Sequence, residues 1–479
     1  MQVAASFLTC SVGPPLLVVM NSFVRAGAGA GAALAAYAWW RRQRLPVVVV
    51  GGGVMGLSTA ERLARSGRRV LLIDAGHPIR GSWGVSRASH LRMEDPVLLK
   101  MSLFSIRRWL ELQRQYAGAG LGSEEDALFY RRTGGMMAGP CDAIERLAES
   151  VRAELGALPE GQLEVLDGPR ASERYPQLKL SEEEKAVVMP EGYTIVVPTC
   201  LECLRWAAAR AGVEMEEGSV AAIDRSGRTV TTEGGRRVRY ADLVVTAGPW
   251  TNQVLARAGL SGVPLFVSNE QTVELVPKEG APSHDWDAFP LFTWSEAGYK
   301  GRGADGGCRY FYTTPHITLK SSGSAGVKIG FHRQGPLLDN EEFQVTEQAK
   351  GLKEKLPHVR KELNESQQYA LDEFAWRSVQ EFVSEKMPGL DASRYAGFMR
   401  CLYQCTPDLQ MIVGRHPEDA GVILACGFSG SGFQFAPAVA ERLAQLLGAA
   451  PSGATKEREM LQGMAAKFTL DRFFGRPGA

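Results

Sequence analysis

The sequence predicts an α/β fold whose first part is built on a parallel sheet, and three observations lead to this prediction. Val47–Val50 is a run of β-branched residues, which is typical of a strand buried on both faces of such a sheet. A glycine-rich turn and a helical pattern of apolar residues follow it directly. A second apolar run, Val70–Ile73, then ends at Asp74. Strand, glycine turn, helix, strand and acid in this order indicate a Rossmann-like unit that binds a dinucleotide.

The glycine-rich turn has the spacing GxGxxG, and each of its three glycines has an expected role. We expect Gly51 to allow the tight turn, Gly53 to let the backbone approach a pyrophosphate, and Gly56 to let the helix pack closely on the strand. The helix N-terminus offers N–H groups and the positive end of its dipole to the phosphates. Asp74 can accept hydrogen bonds from ribose hydroxyls. An acid at this position favours an unphosphorylated ribose, and therefore FAD or NAD.

A second strand–glycine–helix unit lies near the C-terminus, in residues 421–449. An apolar strand leads to a turn that contains Gly427, Gly430 and Gly432, and an amphipathic helix then ends at Gly448. The N-terminus of this helix would supply positive potential, which under a flavin stabilises an anionic reduced ring.

A third strand end with a glycine occurs in residues 243–252. There an apolar strand is followed by Gly248 and Trp250, whose backbone would close over the adenine side of a cofactor. A nicotinamide enzyme needs only the first turn. Three such strand ends spread along the chain therefore favour a larger, elongated cofactor, FAD.

Length, charge and cysteine content exclude several classes of protein. The 479 residues correspond to about three domains, or to two large interleaved ones, at about 150 residues per domain. Lys and Arg number 54 against 53 Asp and Glu, so the net charge of +1 argues against a nucleic-acid binder. The eight cysteines do not form a disulfide framework. The one CxxC, Cys200 to Cys203, lies in a predicted helix without a second ligand pair, so we expect no metal site and a reducing compartment.

We expect residues 1–45 to form a separate leader. No Asp or Glu occurs before Glu61, and residues 1–24 carry no charge, whereas Arg25, Arg41, Arg42 and Arg44 follow. Such a composition is typical of an organellar transit peptide, for a mitochondrion or a plastid. A membrane anchor is the alternative, although Gly13-Pro14-Pro15 interrupts the apolar stretch. A disordered extension is a third interpretation.

Six motifs occur in order along the chain: GGGVMG, LLID, TAGPW, KIGFH, CLYQCTPD and GFSGSGF. Together they resemble the sarcosine oxidase family of FAD-dependent amine oxidases, in the D-amino-acid-oxidase-like superfamily, which includes pipecolate oxidase and N-methyltryptophan oxidase. The resemblance covers about residues 46–450. It implies a Rossmann-like FAD-binding domain interleaved with a substrate domain built on an antiparallel sheet. It also implies oxidation of the CH–NH bond of a secondary or N-methylated amine, with O₂ as acceptor and an imine and hydrogen peroxide as products.

The resemblance assigns two residues near the flavin ring. Cys401 matches the cysteine that is joined covalently to the ring in the family, so the FAD is expected to be covalent; from the residues alone, a buried small side chain is the simpler interpretation. Lys328 matches a lysine that assists oxygen reduction, where a cation stabilises a superoxide-like intermediate. The alternation around Lys328 predicts a strand, and a surface lysine on an edge strand is the alternative.

Four further residues match the family's active site. His332 and Tyr312 match an active-site histidine and tyrosine, and a polar His at the rim is the alternative for His332. Ser86 and Arg87 match the motif that places a cation under the flavin, where it favours the reduced anion. The alternative for Arg87 is a surface residue after a turn. A loop rich in Ser and Gly is predicted between Pro315 and Lys328.

Two departures from the family pattern concern the substrate. His90 and Gln434 stand where the family has an Arg and a Lys that bind the substrate carboxylate. Neutral groups cannot fully replace a charge-assisted pair. Arg92 could compensate only if its strand is regular. We therefore predict that the substrate, which His90, Gln434 and Tyr312 contact, is not a simple sarcosine-like amino acid but is larger, decarboxylated or bound through a neutral group.

The domain boundaries follow mainly from the resemblance. They are residues 1–45 for the leader, 46–100, 196–260 and 396–450 for the discontinuous FAD-binding domain, 101–195 and 261–395 for the substrate domain, and 451–479 for a tail.

Two other functions remain compatible with the sequence. One is a non-catalytic flavoprotein that serves as an assembly factor or scaffold. The other is an amine dehydrogenase that passes electrons to a carrier. In each case we expect a monomer that binds no nucleic acid, and an anchor-like leader would add association with a membrane.

Overall fold

The computed structural model describes residues 44–77, 81–121, 128–155, 161–296, 309–319, 323–333, 335–338, 343–346, 371–450 and 455–473. The predicted leader, except for its last two residues, lies outside these ranges. Within them, no helix combines the length and the apolar character that crossing a membrane requires.

Strands and helices alternate in the first part of the described chain, as the glycine and apolar patterns predict. The strands, numbered in chain order, are β1 (Val47–Val50), β2 (Val70–Asp74), β3 (Ser86–His90), β4 (Tyr130–Arg132), β5 (Gly135–Pro140), β6 (Glu164–Asp167), β7 (Glu184–Met189), β8 (Gly192–Val196), β9 (Glu214–Glu217), β10 (Val220–Asp224), β11 (Thr229–Thr232), β12 (Arg237–Arg239), β13 (Asp242–Val245), β14 (Phe266–Leu275), β15 (Leu291–Ser295), β16 (Tyr310–Thr314), β17 (Val327–Phe331), β18 (Leu337–Leu338), β19 (Gly397–Cys405), β20 (Ile412–His416) and β21 (Asp419–Cys426). The helices are α1 (Val54–Arg65), α2 (Pro96–Gly118), α3 (Cys141–Leu155), α4 (Gly168–Arg174), α5 (Val197–Arg210), α6 (Thr251–Arg257), α7 (Glu373–Lys386), α8 (Ala436–Leu446) and α9 (Thr455–Lys467). Short 3₁₀ turns occupy Gly248–Trp250, Phe433–Phe435 and Leu470–Phe473.

A six-stranded sheet carries the glycine turns. Its strand order is β20-β21-β13-β1-β2-β9, and every neighbouring pair is parallel except β20 with β21. All four residues of β1 are buried, as its β-branched run predicts. The order reverses at β1, which has β13 on one side and β2 on the other. Ligands of such sheets bind at the carboxyl ends of the strands where the order reverses.

A nine-stranded sheet forms the second layer of the fold. Its order is β18-β14-β17-β16-β15-β5-β7-β6, with β19 also paired to β14. The pairs are antiparallel, apart from β15 with β5. The predicted fold class, a Rossmann-like domain interleaved with an antiparallel-sheet domain, is confirmed, because strands of the two sheets alternate along the chain.

Two three-stranded sheets complete the described part of the chain: β10-β11-β12 and β3-β8-β4. The sheet of β3 matters for function, since its first residue hydrogen-bonds the nine-stranded sheet: Ser86 Oγ lies 2.9 Å from Thr314 Oγ1. The predicted helix around Cys200 and Cys203 is α5, and both thiols are buried. No cluster of metal-ligating side chains occurs among the described residues.

The elements and their packing depart from several of the predicted domain assignments. Residue 100 lies inside α2, which packs against α8 and α9. β19 lies in the segment assigned to the FAD domain but pairs with β14 of the nine-stranded sheet along its whole length. The predicted tail contains α9, where Met460, Leu461 and Met464 are buried against the main core. Helical packing of apolar residues therefore continues beyond residue 450.

Candidate active site

A cavity of about 250 Å³ lies between the carboxyl ends of β1, β2 and β13 and one face of the nine-stranded sheet. Most of the residues that the sequence singles out line it. They are Gly51, Gly53, Asp74, Arg87, His90, Gly248, Trp250, Tyr312, His332, Cys401, Gly430, Gly432 and Gln434. Four others stand behind its wall: Gly56, Ser86, Lys328 and Gly427. Residues that are far apart in sequence thus meet in one concave site, which is typical of cofactor-binding enzymes.

The first glycine turn leaves no room for side chains. Gly51 has φ +103°, and a Cβ there would lie 2.5 Å from the carbonyl oxygen of Thr246. A Cβ on Gly56 would lie 1.8 Å from the carbonyl oxygen of Gly51. Gly51 and Gly56 therefore hold β1, α1 and the end of β13 in close contact, which is the packing role expected of them.

The N-terminus of α1 faces the cavity. Gly53 caps the helix in an extended conformation with no side-chain cap, and no acid stands in the first turn. The N–H of Val54 donates to Ser82 Oγ at 3.1 Å. A helix N-terminus at a glycine turn is a ready site for a pyrophosphate.

The end of the cavity beyond β2 has the features of a nucleoside site. Asp74 lies against the turn, since a Cβ on Gly52 would be 2.7 Å from Asp74 Cβ. The rings of His77 and Trp250 stack with centroids 3.8 Å apart and an interplanar angle of 6°. Arg257 also lines this end. A carboxylate for ribose hydroxyls and a flat aromatic wall fit the adenosine part of a dinucleotide.

The second glycine turn packs against the strand that carries Cys401. Gly427 and Gly430 have φ +67° and +79°, and a Cβ on Gly430 would lie 2.1 Å from the ring of Tyr403. Gln404 organises this turn: its Oε1 accepts from the N–H of Gly427 at 2.8 Å, and its Nε2 donates to the carbonyl oxygen of Gly248. One amide thus connects the second and the third glycine segments. No motif in the sequence singles out Gln404 for this role.

Cys401 lies beside a fixed cation. Its side chain is buried in β19, and Arg87 Nη2 approaches its Sγ at 3.5 Å. The guanidinium is held by three carbonyl oxygens, those of Ser86 at 2.8 Å, Gly81 at 3.0 Å and Trp83 at 2.7 Å. Burial raises the pKa of the Cys401 thiol, whereas Arg87 and Lys328 act in the opposite direction.

Lys328 is buried in the middle of the nine-stranded sheet. Its strand, β17, lies between β14 and β16, so the alternative of a surface lysine on an edge strand is excluded. Its Nζ donates to the carbonyl oxygen of Ser86 at 2.5 Å. The same carbonyl oxygen also accepts a hydrogen bond from Arg87. Burial, and next the positive charge of Arg87, lower the pKa of Lys328 to about 7, while Glu274 opposes this.

Aromatic and imidazole rings form the wall above Lys328. The hydroxyl groups of Tyr312 and Tyr403 are 3.4 Å apart, and Tyr403 Oη lies 3.4 Å from His332 Nδ1. A Cβ on Gly330 would lie 2.4 Å from Tyr312 Cζ, so the glycine provides the space for this ring. Burial raises the pKa of Tyr312 to about 12, and it keeps the phenol neutral at physiological pH. Tyr403 belongs to the cysteine motif, but the sequence alone assigns it no role.

His90 and Gln434 lie together at the far end of the cavity. Gln434 Oε1 accepts from the backbone N–H of His90 at 3.0 Å, and the Gln434 carbonyl oxygen accepts from Trp109 Nε1 at 3.1 Å. Arg92 also lines the cavity, but its Nε donates to Glu94 Oε1 at 2.6 Å. The charge of Arg92 is thus balanced by a neighbouring carboxylate, which the sequence pattern did not reveal.

Comparison with known proteins agrees with this site. Residues 46–446 match the sequence model of the DAO family, described as FAD dependent oxidoreductase. The chain is 28% identical to monomeric sarcosine oxidase of Bacillus sp. (strain B-0618) over 84% of its own length and 91% of that protein. It is 27% identical to human peroxisomal sarcosine oxidase over 83% of its length and 91% of that protein. The crystal structure of iminodiacetate oxidase from Chelativorans sp. BNC1 has the same fold, with a TM-score of 0.61 and 20% identity over 86% of this chain and 98% of that one.

Proposed function

The chain belongs to the DAO family of FAD-dependent oxidoreductases, and we propose that it oxidises the CH–NH bond of a secondary or N-methylated amine with O₂ as the electron acceptor. The amine loses two electrons and two protons to become an imine, and O₂ takes up two of each to become hydrogen peroxide. The sarcosine oxidases to which the chain is similar support the class of substrate.

The residues of the cavity fit FAD. Gly51, Gly53 and the N-terminus of α1 would hold the pyrophosphate, while Asp74 and the wall at Trp250 would hold the adenosine part. FAD, when bound, supplies the two-electron acceptor for the amine. Cys401 is the one thiol that lines the cavity among the described residues, and we assign it as the site of covalent attachment.

Arg87 supplies fixed positive charge at the Cys401 end of the cavity, and Lys328 adds to it when it is protonated. Both bond the Ser86 carbonyl oxygen, so neither moves when charge develops beside them. Preorganised cations in a buried site stabilise negative charge more strongly than water does. This arrangement suits a reaction in which negative charge develops in the cavity before the electrons are transferred to O₂.

The substrate end offers neutral or balanced groups. Tyr312, His332, His90 and Gln434 line it, and the charge of Arg92 is paired with Glu94. A carboxylate at this end would therefore meet Arg92 only as part of an ion pair with Glu94. We infer that the amine is bound through its apolar body and neutral hydrogen bonds, and that sarcosine and pipecolate are poor substrates.

One observation carries the proposal: the buried Lys328 and the half-buried Arg87 share a carbonyl oxygen beside a cavity thiol and a wall of three rings. The test is anaerobic mixing of the flavin-loaded protein with a panel of N-methylated and cyclic secondary amines, some lacking a carboxylate. We expect one of them to bleach the flavin absorbance, and air to restore it with one peroxide formed per flavin.

Two other results would identify the alternatives. Bleaching by an amine without reoxidation by O₂, but with reoxidation by an artificial quinone, would make the protein a dehydrogenase. Flavin that no amine reduces would indicate a scaffold. We also propose that the protein is a monomer in an organelle, and that it is bound to a membrane if the leader acts as an anchor. Fractionation of cells that express the full chain tests the location.

A further inference from the structure

A second, small cavity adjoins the substrate end of the active site. Its volume is about 20 Å³, and a cavity of about 10–15 Å³ already holds one water-sized molecule. His90 lines both this cavity and the large one. The two are also neighbours across the sheet, because Thr293 of the small cavity pairs directly with Tyr312 of the large one.

A third cavity, of about 280 Å³, adjoins the small one on its other side. Gly135 and Met189 line both, and they are cross-strand partners. The third cavity includes the exposed residues Gly161, Arg174 and Asp287 in its lining, so it lies at the protein surface. The three cavities form a series from the surface to the active site.

One face of the nine-stranded sheet is the floor of this series. Residues paired across strands point to the same face, and so do residues two apart in a strand. Gly135 pairs with Leu291 in one row, and Thr293 pairs with Tyr312 in the next row on the same face. Lys328 belongs to that face too, two residues before Gly330, the partner of Tyr312.

Strand β3 is the roof. At its first residue, Ser86, the carbonyl oxygen accepts from Lys328 Nζ. At its last residue, His90, the side chain lies above Gly135, since a Cβ on that glycine would be 3.8 Å from His90 Cβ. Strand β3 therefore covers this face of the sheet from Gly135 to Lys328.

The residues that line the small cavity determine which molecules it can admit. Its lining is mainly aliphatic and thioether, with Leu91, Met93, Met137, Val187, Met189 and Leu291, and its polar residues are His90, Glu191 and Thr293. The carboxylate at its edge, Glu191, accepts from Tyr193 Oη at 2.8 Å and from Arg132. Arg132 already neutralises Glu191, the carboxylate in this lining, so the cavity is a poor site for an amine cation. Methionine side chains are flexible and can open briefly for a small molecule.

We propose that the Met-lined cavity under His90 is an entry route for O₂, separate from the mouth through which the amine enters. Size and polarity favour an apolar diatomic molecule over a substrate group, and the route ends on the sheet face that carries Lys328. The inference rests on the proposed function, because it requires O₂ as the acceptor.

The test uses variants of Gly135. Its φ lies outside the left-handed region, and a Cβ there would make ordinary contacts of 3.5 Å with Gly192 and 3.8 Å with His90. Gly135→Ala and Gly135→Val should therefore fold while filling the route in two steps. Gly414→Ala, in β20 with its nearest contact at 3.8 Å, is the matched control.

The flavin-loaded protein is reduced with a just sufficient amount of dithionite, so that no amine is needed, and is then mixed with buffer at several O₂ concentrations. We expect Gly135→Val to lower the second-order rate of reoxidation about fivefold or more, Gly135→Ala to lower it less, and Gly414→Ala to leave it unchanged. Flavin reduction by an amine identified in the panel should stay within about twofold of the parent rate in all three variants.

The outcomes separate the two proposals. If the reduced parent protein is reoxidised no faster than free reduced flavin, the oxidase function itself fails. If the parent reacts rapidly and both Gly135 variants react equally rapidly, the O₂ route is wrong. Slower reduction by amine with normal reoxidation would assign the small cavity to the substrate and would equally overturn the inference. Should Gly135→Val fail to fold, Gly135→Ala alone decides.

Discussion

At the scale of single residues, the cluster of Arg87, Lys328 and Cys401 is the least ordinary feature of the protein. Two cations share the carbonyl oxygen of Ser86, and one of them lies beside a buried thiol. A buried lysine costs folding free energy unless its charge is used or relieved. The folded site therefore has an unfavourable electrostatic energy, which negative charge that develops during the reaction would reduce.

The lowered pKa of Lys328 predicts how stability depends on pH. Between the folded value of about 7 and the unfolded value, the unfolded chain binds the lysine proton and the folded chain does not. Stability therefore rises with pH in this window, by at most about 1.4 kcal/mol per pH unit from this one group. In urea unfolding of the flavin-free protein, we expect Lys328→Met to remove this gain.

The free energy of unfolding is measured at about pH 7 and at about pH 9.5 for the parent protein and for Lys328→Met, and the change between the two pH values is compared. Other groups titrate equally in the parent and the variant, so they cancel. An equal gain in both proteins would show that Lys328 keeps an ordinary pKa.

Cys401 is tested by its bond to the cofactor. We expect the yellow colour of the parent protein to remain with the acid precipitate, and Cys401→Ala to release it into the supernatant. Cys405→Ala is the control, because Cys405 is buried four residues further along the same strand and does not line the cavity. If the parent protein itself released its colour into the supernatant, the covalent bond to Cys401 would be wrong, but the protein would still bind FAD.

At the scale of elements, the close fit of α1 on β1 sets the geometry of the phosphate site. Because a Cβ on Gly56 would lie 1.8 Å from the Gly51 carbonyl oxygen, Gly56→Ala must displace the helix or the turn. Overpacking of this kind costs about 1–3 kcal/mol and moves the N–H groups that face the phosphates. We expect the purified variant to contain less than about one tenth of the parent's flavin, a loss of about 1.4 kcal/mol or more in binding.

Gly118→Ala is the control for this element, since nothing lies within 4 Å of the Cβ it would add at the end of α2. Its flavin content should equal that of the parent protein. A Gly56→Ala protein with full flavin content and an unchanged melting temperature would contradict the role assigned to this contact.

At the scale of the whole molecule, α9 joins the C-terminal segment to the main core. Leu461 is fully buried in the same cluster as residues of α1, α2 and α8. Leu461→Ala should lower the free energy of unfolding by about 2–5 kcal/mol, as for other buried leucines. Chemical denaturation measures this, and Gln462→Ala, at an exposed position beside it, should change stability little. Equal stability of the two variants would show that α9 is an appendage.

The sequence by itself determined the cofactor side of this protein. A β-branched strand, glycines at three strand ends and an acid after the second strand are local patterns, and each has a physical reason that does not depend on distant residues. β1, β2, β21, α1 and α8 lie where those patterns predict them. The fold class and the FAD dependence follow from the same patterns and from the resemblance of the motifs.

Only the tertiary structure decided what surrounds the reacting groups. The shared carbonyl oxygen of Ser86, the bridging amide of Gln404 and the cavity under His90 all depend on register and on contacts between segments far apart in the chain. Local pattern specifies which face of an element is apolar, but it contains no information on which element packs against that face. Burial and neighbouring charge then set the protonation of Lys328, and both are properties of the folded molecule.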